Sequence, residues 1–233
     1  MGPAMDLKRE AALKAADQVT EGMLLGLGTG STAARFIEIL GERVGAGLRV
    51  TCVATSIASE RQARALGITV LDRVDRRLDL TVDGADEIDP GLNLIKGLGG
   101  ALLREKVVAA ASIRMLVIAT ADKLVSHLGE RSPLPVEILP LLWERTAETI
   151  TDLGLTTVLR PMPGGEDPAQ SPPYVTDNGN YIVDCNLKAR LDPEQLAADL
   201  DAIPGVIGHG LFVRMASQAV IAGAGGVRLV DPA

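Results

Sequence analysis

The stretch MLLGLGTGST, residues 23–32, decides the fold. Residues 23–27 form a short apolar run that ends among glycines, the pattern of a buried strand running into a turn. Ser31 then opens a helical pattern whose apolar positions are Ala34, Phe36, Ile37, Ile39 and Leu40. The same alternation continues outward. Upstream, residues 6–19 place Leu7, Ala11, Leu13, Ala15 and Ala16 among charges, which suits a helix with one apolar face. Downstream, strands are expected at 48–54, 68–71, 78–82 and 115–120, with helices at 56–66 and 101–111. Strands that alternate with helices predict an α/β fold with a Rossmann-like, mostly parallel sheet.

The pattern changes near Pro133. A short strand at 136–139, a helix at 141–153 and a strand at 156–159 precede a proline-rich loop at 161–173. Residues 174–186 read as a hairpin turning at Asp177-Asn178-Gly179-Asn180. A helix at 192–203 follows, with Asp192 as its cap and Pro193 in its first turn. The expectation is a second, smaller α+β domain over 133–204. Residues 1–132 plus 205–233 would form the Rossmann-like catalytic domain, with the last apolar runs returning to its sheet.

Composition excludes several classes. Lys and Arg number 23 against 30 Asp and Glu, for a net charge of −7, the wrong sign for a sequence-independent nucleic-acid binder. Aromatic residues are 2% of the chain, too few for base-stacking platforms. Cys52 and Cys185 are far apart and form no CxxC pair, so a reducing compartment fits. His127 and His209 are the only histidines, which rules out a histidine-rich metal site. No run of 18 apolar residues suggests a membrane span, and the charged start MGPAMDLKRE does not read as a signal peptide. A cytoplasmic protein is expected.

Ligands of open α/β sheets bind beyond the carboxyl ends of the strands, and three unusual loops fall at such places. In the first, Gly28, Thr29, Gly30, Ser31 and Thr32 precede a helix. Glycines let the backbone approach an anion, and the helix offers free N–H groups and the positive end of its dipole. The loop lacks the last glycine of the dinucleotide fingerprint and the lysine of the nucleotide phosphate loop, so a small phosphate monoester suits it better. A simple helix cap is the alternative. In the second loop, Asp83, Gly84, Ala85, Asp86, Glu87 and Asp89 crowd four carboxylates into seven residues. Acid–base chemistry, a metal site and a solvated turn all remain open there, although the spacing fails an EF-hand. The third runs from Lys96, Gly97, Leu98, Gly99 and Gly100 into a helix carrying Glu105, which is set one turn from Ala101. Lys96 is one of only six lysines. Lys123 sits at another strand end. His209 reads as part of a structural turn, Cys52 as an inert core thiol and Trp143 as a packing residue.

Together these loops resemble the type A ribose-5-phosphate isomerase family. The segments that carry the resemblance are residues 28–32, 83–87, 96–106, 133–137, 176–180 and 205–212, which span nearly the whole chain in order. The resemblance implies interconversion of D-ribose 5-phosphate and D-ribulose 5-phosphate in the non-oxidative pentose phosphate pathway. It implies no cofactor and a homodimer or homotetramer; no metal and no nucleic-acid or membrane partner are expected. By the same resemblance Glu105 is the catalytic base, with Asp83, Asp86 and Lys96 completing the catalytic set. Thr29, Gly30, Ser31, Thr32, Asp83, Gly84, Ala85, Asp86, Lys96, Gly97, Leu98, Gly99 and Lys123 would bind substrate. Lys96 and loop N–H groups would stabilise the oxyanion of an enediolate, and Asp83 would assist ring opening. Leu98 stands where the family commonly has glycine, and segment 161–173 looks longer than usual. A sugar-phosphate-sensing regulator and an amino-sugar phosphate deaminase are the other classes considered; the first lacks a basic DNA-binding segment, and ammonia release would mark the second.

Overall fold

A computed structural model describes residues 6–164, 171–187 and 192–232. In chain order its first elements are α1 (Leu7–Ala16), β1 (Leu24–Leu27), α2 (Ser31–Gly45), β2 (Thr51–Ala54), α3 (Ile57–Ala65), β3 (Thr69–Val70), β4 (Leu80–Asp83), β5 (Glu87–Ile88) and β6 (Leu94–Ile95). They are followed by α4 (Leu102–Ala110), β7 (Met115–Thr120), β8 (Leu134–Ile138), α5 (Trp143–Asp152), β9 (Thr156–Leu159), β10 (Tyr181–Asn186) and α6 (Pro193–Asp201). The chain ends with β11 (Val206–His209), β12 (Leu211–Phe212), β13 (Gln218–Gly223) and β14 (Gly226–Val230).

The main sheet runs β14-β13-β7-β4-β1-β2-β3. Every pairing in it is parallel except β13 with β14 at the edge. β1 and the core of β7 are buried throughout, as strands covered on both faces must be. Their cover includes α2, whose Ala33, Phe36, Ile37 and Leu40 recur at helical spacing and are fully or almost fully buried. Phe36, Ile37 and Leu40 each contribute about 1.5–3 kcal/mol by leaving water. Asp6 caps α1 by accepting from the Arg9 N–H, and Ser56 caps α3 by accepting from the Ser59 N–H.

A four-stranded antiparallel sheet, β11-β8-β10-β9, packs with α5 and α6 around Leu134, Val136, Ile150, Val183 and Leu200. It takes β11 from beyond residue 204, whereas β13 and β14 return to the main sheet. Trp143 packs against this core as expected. The expected hairpin over 174–186 does not form. β10 pairs with β8 and β9, and residues 174–180 make no strand. Residues 172–174 instead bond back to 160–162, the Met162 N–H donating to the Pro172 carbonyl and the Tyr174 N–H to the Arg160 carbonyl, and the following turn is tied through side chains: Thr176, Asn178 and Asn180 all donate to Oε1 of the buried Glu137. Of the proline-rich loop, residues 165–170 lie outside the described residues. A third, three-stranded sheet, β12-β6-β5, sets Lys96 directly after β6.

Candidate active site

The site forms where the strand order reverses. β1 has β2 on one side and β4 on the other, so the loops leaving β1 and β4 part and open a crevice. The backbones approach closely there. A β-carbon on Gly28 would lie 2.1 Å from Asp83 Oδ1, so only glycine fits. That approach lets the Thr29 N–H donate to Asp83 Oδ1 at 3.0 Å, and the Gly84 N–H donates to the same oxygen at 2.7 Å. The Thr29 hydroxyl lies 2.7–3.2 Å from the hydroxyls of Thr55, Ser56 and Ser59. Ser59 in turn donates to the Gly28 carbonyl. This hydroxyl cluster braces the glycine turn from the end of β2.

Gly30, at φ +107°, is the N-cap of α2, and no side chain caps the helix. The first N–H groups of α2 therefore face the crevice without helical partners. Lys8 from α1 donates to the Ser31 hydroxyl at 2.9 Å. Lys123, on the short 3-10 turn after β7, lines the same cavity. Two ammonium groups and a helix N-terminus thus surround one end of the cavity.

At the other end stands Lys96, only 2% exposed. Its N–H donates to the Gly210 carbonyl and its Nζ donates to the Gly84 carbonyl at 2.6 Å. Nζ lies 3.0 Å from Asp83 Oδ2, 3.4 Å from Glu105 Oε1 and 5.5 Å from the Phe212 ring centroid. Glu105 is one turn into α4 and 4% exposed, and its Oε2 is buried without a hydrogen-bond partner among the described residues. Burial pushes the Glu105 carboxyl up to about 8 despite the opposing pull of Lys96, and Asp83 adds to the rise. Burial likewise raises Asp83 above the usual carboxylate range, partly offset by Lys96. For Lys96, burial favours the neutral amine, but Asp83 and Glu105 outweigh it and hold the ammonium charged.

The cavity measures about 140 Å³ and shares Lys8, Ser31 and Lys123 with an open groove of about 760 Å³. Most residues expected at the site line it: Thr29, Gly30, Ser31 and Thr32 from the first loop, Gly84, Ala85 and Asp86 from the second. Lys96, Gly97, Gly99, Glu105 and Lys123 complete it. Two of the expected residues do not line the cavity. Asp83 is fully buried behind Lys96 and does not reach the cavity wall, because the close approach of β1 and β4 closes over it. The Leu98 side chain points away and is 41% exposed; only its N–H takes part, donating to Asp86 Oδ2 at 2.9 Å. The other carboxylates of the acidic loop diverge. Glu87 accepts the N–H groups of Gly129, Arg131 and Ser132, and Asp89 accepts from Asn93. His209 lies outside the cavity, 3.2 Å from both Asp201 and Lys106. Cys52 is buried, its thiol pushed up to about 12.

Sequence reasoning missed Lys8 and the hydroxyls of Thr55, Ser56 and Ser59. Residues 55–59 also follow a strand, which was a usable signal. Nothing local sets Lys8 apart from the other charges of α1.

The sequence profile of ribose 5-phosphate isomerase A (phosphoriboisomerase A) matches residues 51–226. The chain belongs to the ribose 5-phosphate isomerase A family. Members of this family interconvert ribose 5-phosphate and ribulose 5-phosphate. The chain is 52% identical to a ribose-5-phosphate isomerase A from Bradyrhizobium diazoefficiens, over 97% of this chain and 95% of that one. It is 48% identical to a family member from Gloeobacter violaceus, over 97% and 96%. Among solved structures, a D-ribose-5-phosphate isomerase in complex with phospho-erythronic acid superposes with a TM-score of 0.91 at 35% identity, covering 97% of this chain and 98% of that one. The family member from Methanocaldococcus jannaschii gives 0.90 at 34%, with the same coverage.

Proposed function

We propose that this chain interconverts D-ribose 5-phosphate and D-ribulose 5-phosphate through an enediolate, with Glu105 as the base that moves the proton between C2 and C1. One observation carries the assignment: Glu105 Oε2 is buried at the cavity, without a hydrogen-bond partner among the described residues. An unpartnered carboxylate oxygen at such a place is costly to keep and is free to accept a proton. In the forward direction Glu105 takes the C2 proton of the open-chain aldose, and negative charge develops on the C1 oxygen. Lys96 and the N–H groups of the glycine loop stabilise that charge in a dry site. Glu105 returns its proton to C1, and the O2 proton passes to O1, giving the ketose.

Asp83 acts through Lys96, which it holds in place. Asp86, on the cavity wall, is the carboxyl that meets a substrate hydroxyl during ring opening. The phosphate sits between Lys8, Lys123 and the start of α2, where charge-assisted bonds and the helix dipole favour it. That places the reacting carbons beside Glu105. No added cofactor enters the scheme.

The same reading gives a cytoplasmic homodimer or homotetramer, which sedimentation of the purified protein measures. It divides the chain into a catalytic unit of 1–132 plus 205–233, which lends β11 to the second sheet, and a smaller unit of 133–204, which limited proteolysis tests. The reaction itself is tested by a proton-NMR time course with ribose 5-phosphate in deuterated water. Ribulose 5-phosphate should appear and the C2 proton of the remaining ribose 5-phosphate should be lost. Ammonia release from an amino-sugar phosphate, with no turnover of ribose 5-phosphate, would overturn the reading.

A further inference from the structure

The glycine loop beside Lys96 is held from behind by the second sheet. Arg160, immediately after β9, points Nη1 at two consecutive carbonyls of that loop, Gly97 at 3.1 Å and Leu98 at 3.0 Å. Nε and Nη2 form a fork on the two oxygens of Asp184, across the sheet on β10. The side chain is 11% exposed, so the fork is largely shielded from water. Tyr174 lies over it, with the guanidinium carbon 5.9 Å from the ring centroid. The Tyr174 hydroxyl also fills the space where a β-carbon on Gly100 would stand.

The consequence follows from peptide geometry. In a planar trans peptide the C=O and the next N–H point in opposite directions. Fixing the carbonyls of Gly97 and Leu98 on one nitrogen turns the N–H groups of Leu98 and Gly99 to the opposite side. The Leu98 N–H indeed donates to Asp86 Oδ2, and Gly99 lines the cavity. A cation on the carbonyl end also polarises each peptide, which makes its N–H a stronger donor.

We propose that Arg160, held by Asp184, is a positioning residue for the isomerisation. It aims and polarises the Leu98 and Gly99 N–H groups that orient Asp86 and face the developing oxyanion. This rests on the enediolate reading of the site. Arg160 touches no substrate, and the phosphate end of the cavity, at Lys8 and Lys123, has no contact with it.

The test is steady-state kinetics of Arg160→Ala, Arg160→Lys and Asp184→Asn, with the affinity of each for inorganic phosphate. Arg160→Ala should lower kcat for ribose 5-phosphate by about 10- to 100-fold. KM and the phosphate Kd should stay within about threefold of wild type, since uniform binding is untouched. Arg160→Lys can reach the carbonyls without the fork and should recover at least fivefold over alanine. Guanidinium ion at millimolar concentration should raise the kcat of the alanine variant several-fold and leave that of the wild type unchanged. Asp184→Asn, which keeps the shape, should lose about three- to tenfold in kcat; if the alanine variant does not fold, this result decides. Wild-type kcat in a folded Arg160→Ala or in Asp184→Asn would overturn the inference, and so would a kcat loss matched by an equal loss of phosphate affinity. Glu105→Gln assayed alongside separates the two claims. An active Glu105→Gln removes Glu105 as the base and with it the site reading on which the inference rests, whereas an inactive Glu105→Gln beside a fully active Arg160→Ala removes only the role of Arg160.

Discussion

Lys96 Nζ stands 3.4 Å from Glu105 Oε1, while the other oxygen of that carboxylate, Oε2, has no hydrogen-bond partner among the described residues. The ammonium thus steadies one oxygen of the base and leaves the other, buried oxygen unpartnered. The same ammonium is held by Asp83 from behind, at 3.0 Å. A buried cation between two buried carboxyls carries a large desolvation cost, and burial raises both Asp83 and Glu105 above the usual carboxylate range.

The raised Glu105 carboxyl predicts the pH profile. A base must be ionised to act, and burial pushes this one up to about 8. The kcat/KM for ribose 5-phosphate should therefore rise with pH and level off above about 8. Below that it should fall toward tenfold per pH unit. A profile flat from pH 6 to 9 would mean that another group, or a carboxyl with an ordinary pKa, is the base.

The same shift predicts a stability effect of opposite sense. A carboxyl whose folded pKa is raised binds more protons folded than unfolded between pH 4.5 and about 8, so its contribution to stability falls as pH rises through that window. Glu105→Gln removes the contribution. Its melting temperature relative to wild type should climb between pH 5 and pH 8, as read by calorimetry at the two pH values.

Lys8 and Lys123 are expected to act on the phosphate and not on the reacting carbons. A charge-assisted hydrogen bond is worth roughly 1.5–3 kcal/mol. Alanine at either position should lower kcat/KM for ribose 5-phosphate by about 10- to 100-fold. Any slow turnover of unphosphorylated ribose should hardly change. Equal fractional losses on both sugars would move that lysine out of the phosphate site.

The close approach at Gly28 gives a steric prediction. In Gly28→Ala the new methyl must displace Asp83, because it would lie 2.1 Å from Oδ1. Stability should drop by about 1–3 kcal/mol, and kcat should drop with it as Lys96 loses its anchor. Chemical denaturation and steady-state kinetics on the same preparation check both. An alanine variant with wild-type stability and rate would show that this contact is not needed.

Much of this site was legible because its residues lie in three glycine-rich or acidic loops at strand ends. Periodicity located the strands, and the rule that ligands bind beyond their carboxyl ends located the chemistry. What escaped depends on contacts distant in sequence. Lys8 reaches Ser31 across 23 residues, and Arg160 reaches Gly97 across 63. The burial of Asp83 was equally hidden, since the sequence shows four neighbouring carboxylates but not which one β1 closes over. The hairpin expected at 174–186 failed for a related reason. The turn residues 177–180 suggest a link between two strands, whereas Thr176, Asn178 and Asn180 are tied by their side chains to Glu137.

The claim that matters most is that Glu105 moves the proton, and Glu105→Gln in deuterated water tests it most directly. Ribose 5-phosphate is followed by proton NMR for loss of the C2 proton and formation of ribulose 5-phosphate, with inorganic phosphate binding as the check on the site. The account predicts that the glutamine variant binds phosphate like wild type while both C2 exchange and ribulose formation fall by about 10² or more. C2 exchange at near the wild-type rate in that variant would contradict it.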